Sequence, residues 1–397
     1  MLVRNINFSR IETLDDTADI SKVEPVDLRV NEARIDLYDL FGATGLDLAA
    51  GELRIAWGTA DGVNPTDRVN ALDLEDGAGF DKRLPSPAIQ LALTLGPVRL
   101  EAAVVPLFTP ALLPIDELDV TALGDPQHVF ELEEHPATEP PEIRRVETHV
   151  TMPEPSLKNM QYAARLVWHS PVGDFSGMFY RGFESLPQAS GEARLTGFQT
   201  ENRVDLGVPL VYPRLMMAGL DYRGPIVGEL SAWAEIAVLF PEEAALTASQ
   251  AQLEQLVHLG RISEVPDPLP SQETQDGKPY VQAVAGLEYL FPGSLYANLQ
   301  YARGMPTERQ AADVHDYALL ALRLPVLDGR LQFEARGALE VGGADAIGWQ
   351  GGGAVSWLHG DAARLTLSSA VLGGQKGTTF QRFERVSNLK LAFTLGF

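Results

Sequence analysis

Seven histidines (His128, His135, His149, His169, His258, His315 and His359) are the side chains best suited to move protons near neutral pH. None stands in the His-x-x-x-His or His-Glu-x-x-His spacing of a helical zinc site. Ser185 and Ser190 lie in turn-rich sequence without the Gly-x-Ser-x-Gly elbow that exposes a serine nucleophile. The chain has no cysteine, which removes thiolate chemistry, thiolate metal sites and disulfides together. No enzymatic activity is expected. Asp61, Asp67 and Asp73, with Glu75 and Asp76, are hard oxygen donors of the kind Ca²⁺ uses. They lack the fixed spacing of a calcium loop, and Asx turns explain most of them. A weak calcium site in these acidic loops is the one metal to consider; no other cofactor is implied.

A second set of charges falls at alternate positions of otherwise uncharged segments: Glu52, Arg54, Arg99, Glu101, Arg165, Glu229, Glu235, Glu288, Arg323, Glu334, Arg336, Arg364 and Lys390. Trp233 falls in the same phase as Glu229 and Glu235. Alternation places these residues on one face of extended strands. The opposite face reads, for example, Ile89-x-Leu91-x-Leu93-x-Leu95, Leu331-x-Phe333-x-Ala335 and Leu389-x-Leu391-x-Phe393-x-Leu395. One face free of charge over nine or ten residues is the length a tilted strand needs to cross a bilayer. Strands of soluble sandwiches usually run five or six. The charged set is therefore expected to line a lumen and supply its ligand contacts. Its six glutamates and seven bases make that lining nearly neutral, which does not suggest an ion-selective pore.

Sixteen strands are expected, near 2–12, 27–40, 47–57, 87–96, 98–106, 159–169, 174–183, 213–223, 226–240, 280–290, 295–303, 314–324, 330–340, 347–358, 362–371 and 384–397. Every second connection is short and rich in Gly, Pro, Asp or Ser (42–46, 96–97, 170–173, 223–225, 291–294, 325–329, 359–361), as tight turns require. Most of the others are long: 13–26, 58–86, 107–158, 184–212, 241–279, 304–313, 341–346 and 372–383. Short periplasmic turns alternating with long extracellular loops are the outer-membrane arrangement. The expectation is an all-β, transmembrane antiparallel β-barrel of about 16 strands in a single domain, residues 1–397. Eighteen strands are the alternative, if 192–206 forms a further hairpin inside the fourth long loop. The terminal Phe397, ending an alternating strand, reads as a membrane-assembly signal.

Composition agrees. With 397 residues and a net charge of −23, the chain repels nucleic acid. No stretch approaches the roughly 20 apolar residues of a spanning helix. The sequence Met1–Asn5 lacks the apolar run of a secretory leader, so an exported protein would be numbered from after its removal. The long loops 58–86, 107–158, 184–212 and 241–279 are expected outside the cell or folded into the lumen. Residues 114–157 carry eleven acids and seven prolines, which rules out a long helix there. A helix is expected to open at Pro241-Glu242-Glu243. The five tryptophans suggest interfacial girdles, with Trp233 instead facing inward.

After the third strand, Trp57-Gly58 is followed by Asn64-Pro65-Thr66-Asp67. This segment resembles a family of Gram-negative outer-membrane barrels that carries a domain-of-unknown-function label, distantly similar to porins and alginate-export channels. Its members share a strand ending Trp-Gly and a following Asn-Pro-x-Asp; many repeat Asn-Pro where this chain has Asn70-Ala71. The resemblance implies an outer-membrane barrel, in some genomes encoded near lipoproteins and exporters of the resistance-nodulation-division type, and hence hydrophobic or lipid-like cargo. It implies no catalytic residue. The expected function is passage of a small amphipathic or hydrophobic molecule through a loop-occluded channel. The alternative is a docking barrel with a closed lumen in a cell-envelope machine. Expected partners are outer-membrane lipid, lipopolysaccharide bridged to the acidic loops by divalent cations, and periplasmic lipoprotein or envelope-complex proteins.

Overall fold

The computed structural model describes residues 32–74, 82–113, 142–196, 203–258, 263–341, 346–360, 363–384 and 387–395. In chain order the strands are β1 (Ala33–Leu37), β2 (Leu46–Leu53), β3 (Ser86–Leu95), β4 (Val98–Val105), β5 (Glu142–Thr151), β6 (Gln161–Ser170) and β7 (Gly173–Phe183). They continue with β8 (Gln188–Ala189), β9 (Gly191–Thr196), β10 (Arg203–Val211), β11 (Arg214–Val227), β12 (Leu230–Pro241), β13 (Ala244–Ala248) and β14 (Ser271–Gln275). The last seven are β15 (Tyr280–Leu290), β16 (Tyr296–Arg303), β17 (Asp316–Val326), β18 (Leu331–Val341), β19 (Ile347–His359), β20 (Ala363–Gly374) and β21 (Asn388–Leu395).

Fifteen of them form one antiparallel sheet in the order β1-β2-β3-β4-β6-β7-β11-β12-β15-β16-β17-β18-β19-β20-β21. Each pairs with the next barrel strand along the chain, which makes the sheet an up-and-down meander. The expected first strand, 2–12, and Phe397 lie outside the described residues. The two faces differ as the alternation requires. Leu91, Leu100, Leu166, Phe179, Leu220, Leu287, Leu299, Leu339, Leu367 and Leu391 are all exposed on the outer face. A continuous apolar band of this extent is not left to water; it is the lipid-facing surface of a membrane-spanning β-barrel. Trp168, Phe175 and Tyr222 sit in cross-strand register near the short turns, with ring centroids 5.6 Å and 4.9 Å apart in turn. Such an aromatic row suits the membrane–water boundary. Trp168, Trp349 and Trp357 are exposed on the outside, whereas Trp57 and Trp233 are buried.

The short turns fall at alternate connections, and one expected turn moves. β11 runs on through Pro225 with a register shift between Pro225 and Val227, and the chain reverses at Gly228-Glu229. The irregularity accommodates a proline that has no N–H for the ladder.

The remaining strands form a second sheet, β14-β13-β9-β10-β5, with β8 on β10. All come from the connections 107–158, 184–212 and 241–279. Residues 192–206 do form a hairpin, β9 against β10, but in this sheet and not in the barrel wall. β10 also pairs in parallel with β5, and β13 with β9. The helix in 241–279 spans Gln250–His258, not from Pro241 as expected, because 241–248 is taken up by β12 and β13. Its Leu253 and Leu256 are buried with Leu206, Leu210 and Leu246 of the second sheet. The same hydrophobic cluster contains Trp233, Val284, Ala302, Tyr317 and Leu372 from the inward face of the barrel strands. The second sheet is thus packed on the inner wall, on the side of the long connections.

Candidate functional site

The segment that follows β2 enters the interior. Leu53, Ile55 and Trp57 are buried with Met178, Tyr180, Leu215, Met217 and Leu239 of the inner wall. Asn70 closes the base of the excursion. Its Oδ1 accepts the Ile55 N–H at 2.6 Å, and its Nδ2 donates to the Leu53 carbonyl at 3.0 Å and to Ser86 Oγ at 3.3 Å. Asn64-Pro65-Thr66-Asp67 forms a turn, the Asp67 N–H donating to the Asn64 carbonyl at 3.3 Å. Asp67 is buried against Arg83, with Oδ2 3.3 Å from Nε. Burial pushes the Asp67 carboxyl above its ordinary range, opposed by the positive charges of Arg83 and Arg68.

At its far end the segment is gripped by Glu235, a buried side chain of β12. One carboxylate oxygen accepts the N–H groups of Thr59 and Ala60, the latter at 2.5 Å; the other accepts the Thr66 hydroxyl at 2.8 Å. Arg68 donates to Gln282 of β15. β12 and β15 stand six and seven places from β2 along the sheet order, so the segment ties together inward faces that are remote along the wall. Gly58 is required here: its φ is +100°, and a Cβ would lie 2.7 Å from Glu235 Oε1.

A second cluster joins the β16–β17 and β20–β21 connections to β18. Glu308 and His315 lie between β16 and β17, and Glu340 on β18 is wholly buried. His315 Nδ1 is 3.1 Å from Glu308 Oε1 and 3.0 Å from Glu340 Oε1. Glu340 also accepts the N–H groups of Thr379 (2.6 Å) and Phe380 (3.0 Å), and Tyr317 donates its hydroxyl to Glu308 at 2.6 Å. The hydrogen bond to Glu308 raises the His315 pKa, with burial opposing. Among the described residues this is the group of metal-capable side chains that converges. Asp61, Asp67 and Asp73 do not converge: Asp61 is exposed, Asp67 faces Arg83, and Asp73 sits on an isolated bridge to Leu112. Every carboxylate oxygen of Glu308 and Glu340 already accepts a hydrogen bond, so the cluster acts as a clamp between connections.

Near the short turns the inner wall carries ion pairs. Arg99 meets Glu101 at 2.9 Å; Arg165 reaches Asp221 at 3.4 Å, and Ser176 donates to the same carboxylate at 2.5 Å. Arg223 meets Glu288 at 2.7 Å, while Arg323 and Arg336 flank Glu334 at 3.3 and 3.4 Å. Arg364 pairs in register with Thr394 on this face, as Lys390 does with Ser368. Trp233 is also inward, directly against Gly286, where the indole fills the space a Cβ would need.

Three expected wall residues are placed otherwise. In β2, Leu48 and Ala50 pair with the outward Leu91 and Ile89, and Leu53 pairs with inward Ser86. Glu52 therefore shares the outward phase, and Arg54 falls in that phase beyond the strand, because Leu53, Ile55 and Trp57 take the protein-packed side. Glu229 occupies the exposed Gly228-Glu229 turn. Asn70, Asp221, Gln282, Glu308 and Glu340 were not singled out from sequence. Asp221 and Glu340 carried the right alternation phase; Asn70 itself, and the partners of Gln282, lie on segments without periodicity.

No family model matches this chain, and no curated protein matches it. Solved structures similar to it include OccK8 (OprE) of Pseudomonas aeruginosa, at 8% identity and a TM-score of 0.39 over 83% of this chain and 74% of that one. A mutant of Rh. blastica porin is similar at 10% identity and a TM-score of 0.37 over 91% of this chain and 86% of that one. At these scores the likeness adds nothing to the strand order and burial above, on which the membrane-spanning barrel rests.

Proposed function

We propose that this protein is an outer-membrane channel for a small amphipathic or hydrophobic molecule, occluded by its own long connections. The observation that carries the reading is the grip of Glu235 on Thr59, Ala60 and Thr66, which draws segment 54–74 across the lumen. The second sheet and the helix Gln250–His258 form a lid above it, with apolar surface facing the interior. Among the described residues the hydroxyls beside inward carboxylates, Ser176 on Asp221 and Thr66 on Glu235, complete an ion pair and a segment contact, and we read the barrel as non-enzymatic. Lipid covers the outer band, and the acidic loops meet lipopolysaccharide through divalent cations. A periplasmic lipoprotein or envelope complex is the partner that would receive or deliver cargo at the short-turn end.

The test is conductance of the purified barrel in planar bilayers, with heat-modifiable migration as the folding check. The full chain should give small or infrequent steps. E235A, and a second variant with residues 59–69 replaced by a short Gly-Ser linker, should give larger and longer ones. Folded protein that stays silent in all three forms would overturn the channel in favour of a closed docking barrel.

A further inference from the structure

Counting charges makes the inner wall nearly neutral, but in its arginine–glutamate pairs the ions are not presented equally to water; Asp174, 54% exposed beside His169 at the β6–β7 turn, is the exception. In the Arg99–Glu101 pair the arginine side chain is 37% exposed and the glutamate 10%. For Arg223–Glu288 the values are 51% and 14%, and for Arg336–Glu334 they are 52% and 20%. Side-chain length and hydrogen bonding explain the asymmetry. Neighbours pull three of the carboxylates against the wall: Tyr296 donates to Glu288 at 2.9 Å, Gln332 to Glu334 at 2.8 Å, and Ser176 to Asp221 at 2.5 Å. The longer arginines satisfy the carboxylates from the water side and leave their remaining N–H donors facing inward. Arg364, exposed on this face, adds to the same sign.

We propose that the short-turn half of the lumen is an anion-selective vestibule, and that the molecule it passes carries a carboxylate or comparable oxyanion group. This rests on the channel reading and names the polar end of its solute. The net charge of −23 does not oppose it. Charges more than about 8 Å away are largely screened at physiological ionic strength, so the nearest guanidinium heads set the local potential. Arginine forks bind carboxylates in bidentate fashion, which suits capture of an anionic head while the apolar remainder meets the lid.

The test is the reversal potential across a potassium chloride gradient, read in planar bilayers for the full chain, for E235A and for E235A combined with R323Q and R336Q. The expected result is a chloride preference over potassium of about twofold or more, falling toward parity when the two arginines are neutralised. Heat-modifiable migration confirms that each variant is folded. Conductance with a potassium preference, or a chloride preference unmoved by the double substitution, overturns the vestibule while leaving the channel standing. Folded protein with no conductance in any form overturns the channel reading and the vestibule with it.

Discussion

Glu235 occupies the space that a side chain on Gly58 would need: a Cβ there would lie 2.7 Å from Oε1 and 3.0 Å from Oε2 of the carboxylate. The grip on the crossing segment therefore depends on a residue that contributes no side chain. Gly58→Ala should push the carboxylate off the Thr59 and Ala60 amides. The φ of +100° adds strain of roughly 1–3 kcal/mol for any other residue. Limited proteolysis should cut between residues 58 and 74 in folded G58A and leave the parent intact; equal resistance would show that other contacts hold the segment.

The Asp67–Arg83 pair is buried on both sides. Removing one partner of such a pair typically costs about 3–5 kcal/mol, because the other is left uncompensated. Arg83→Ala should therefore open the 54–74 segment locally, whereas D67N/R83Q should recover much of the loss. Amide hydrogen exchange of Ile55 and Trp57 reports it; unchanged protection in R83A would mean that Asn70 alone holds the base.

His315 supplies a pH dependence whose sign is fixed by its neighbours. Its folded pKa is raised, first by the hydrogen bond to Glu308. The stabilisation is thus complete below the unfolded value of about 6.5 and is lost as pH rises through the folded value. Above that point two buried carboxylates face each other without the imidazolium. Exchange protection of the Thr379 and Phe380 amides, which Glu340 holds, should fall as pH rises through this window, after correction for intrinsic exchange. In His315→Gln this extra step should be missing; protection that rises through the same window would reverse the assignment.

Leu299 lies in the middle of β16 on the exposed outer face. In lipid, Leu299→Arg should cost about 2–4 kcal/mol near the bilayer midplane. On a water-exposed surface the same change would stay within about 0.5 kcal/mol. Urea unfolding in lipid vesicles separates the two outcomes.

Most of the wall was legible because lipid on one side and charge on the other print a period of two. Ile89, Leu91 and Leu95 against Gln90 and Thr94 show it plainly. The signal failed in β2, where the interior is also apolar: Leu53, Ile55 and Trp57 look like lipid-facing residues but pack on Met178 and Leu215. Alternation says that two faces differ, and it cannot tell lipid from a protein-filled lumen. The second sheet was legible only as long connections. Its parallel pairing of β10 with β5 joins segments far apart in sequence, and neither has a turn to mark the partnership. The grip of Glu235 was half legible. Its inward phase could be read, but its targets are backbone amides, which every residue has.

Because β5, β9, β10, β13 and β14 are drawn from three separate excursions, the smaller sheet cannot be completed until all three have met. Its parallel pairings, β10 with β5 and β13 with β9, join partners distant in sequence, so the smaller sheet carries a loop-closure cost that most of the wall, built from chain neighbours, escapes.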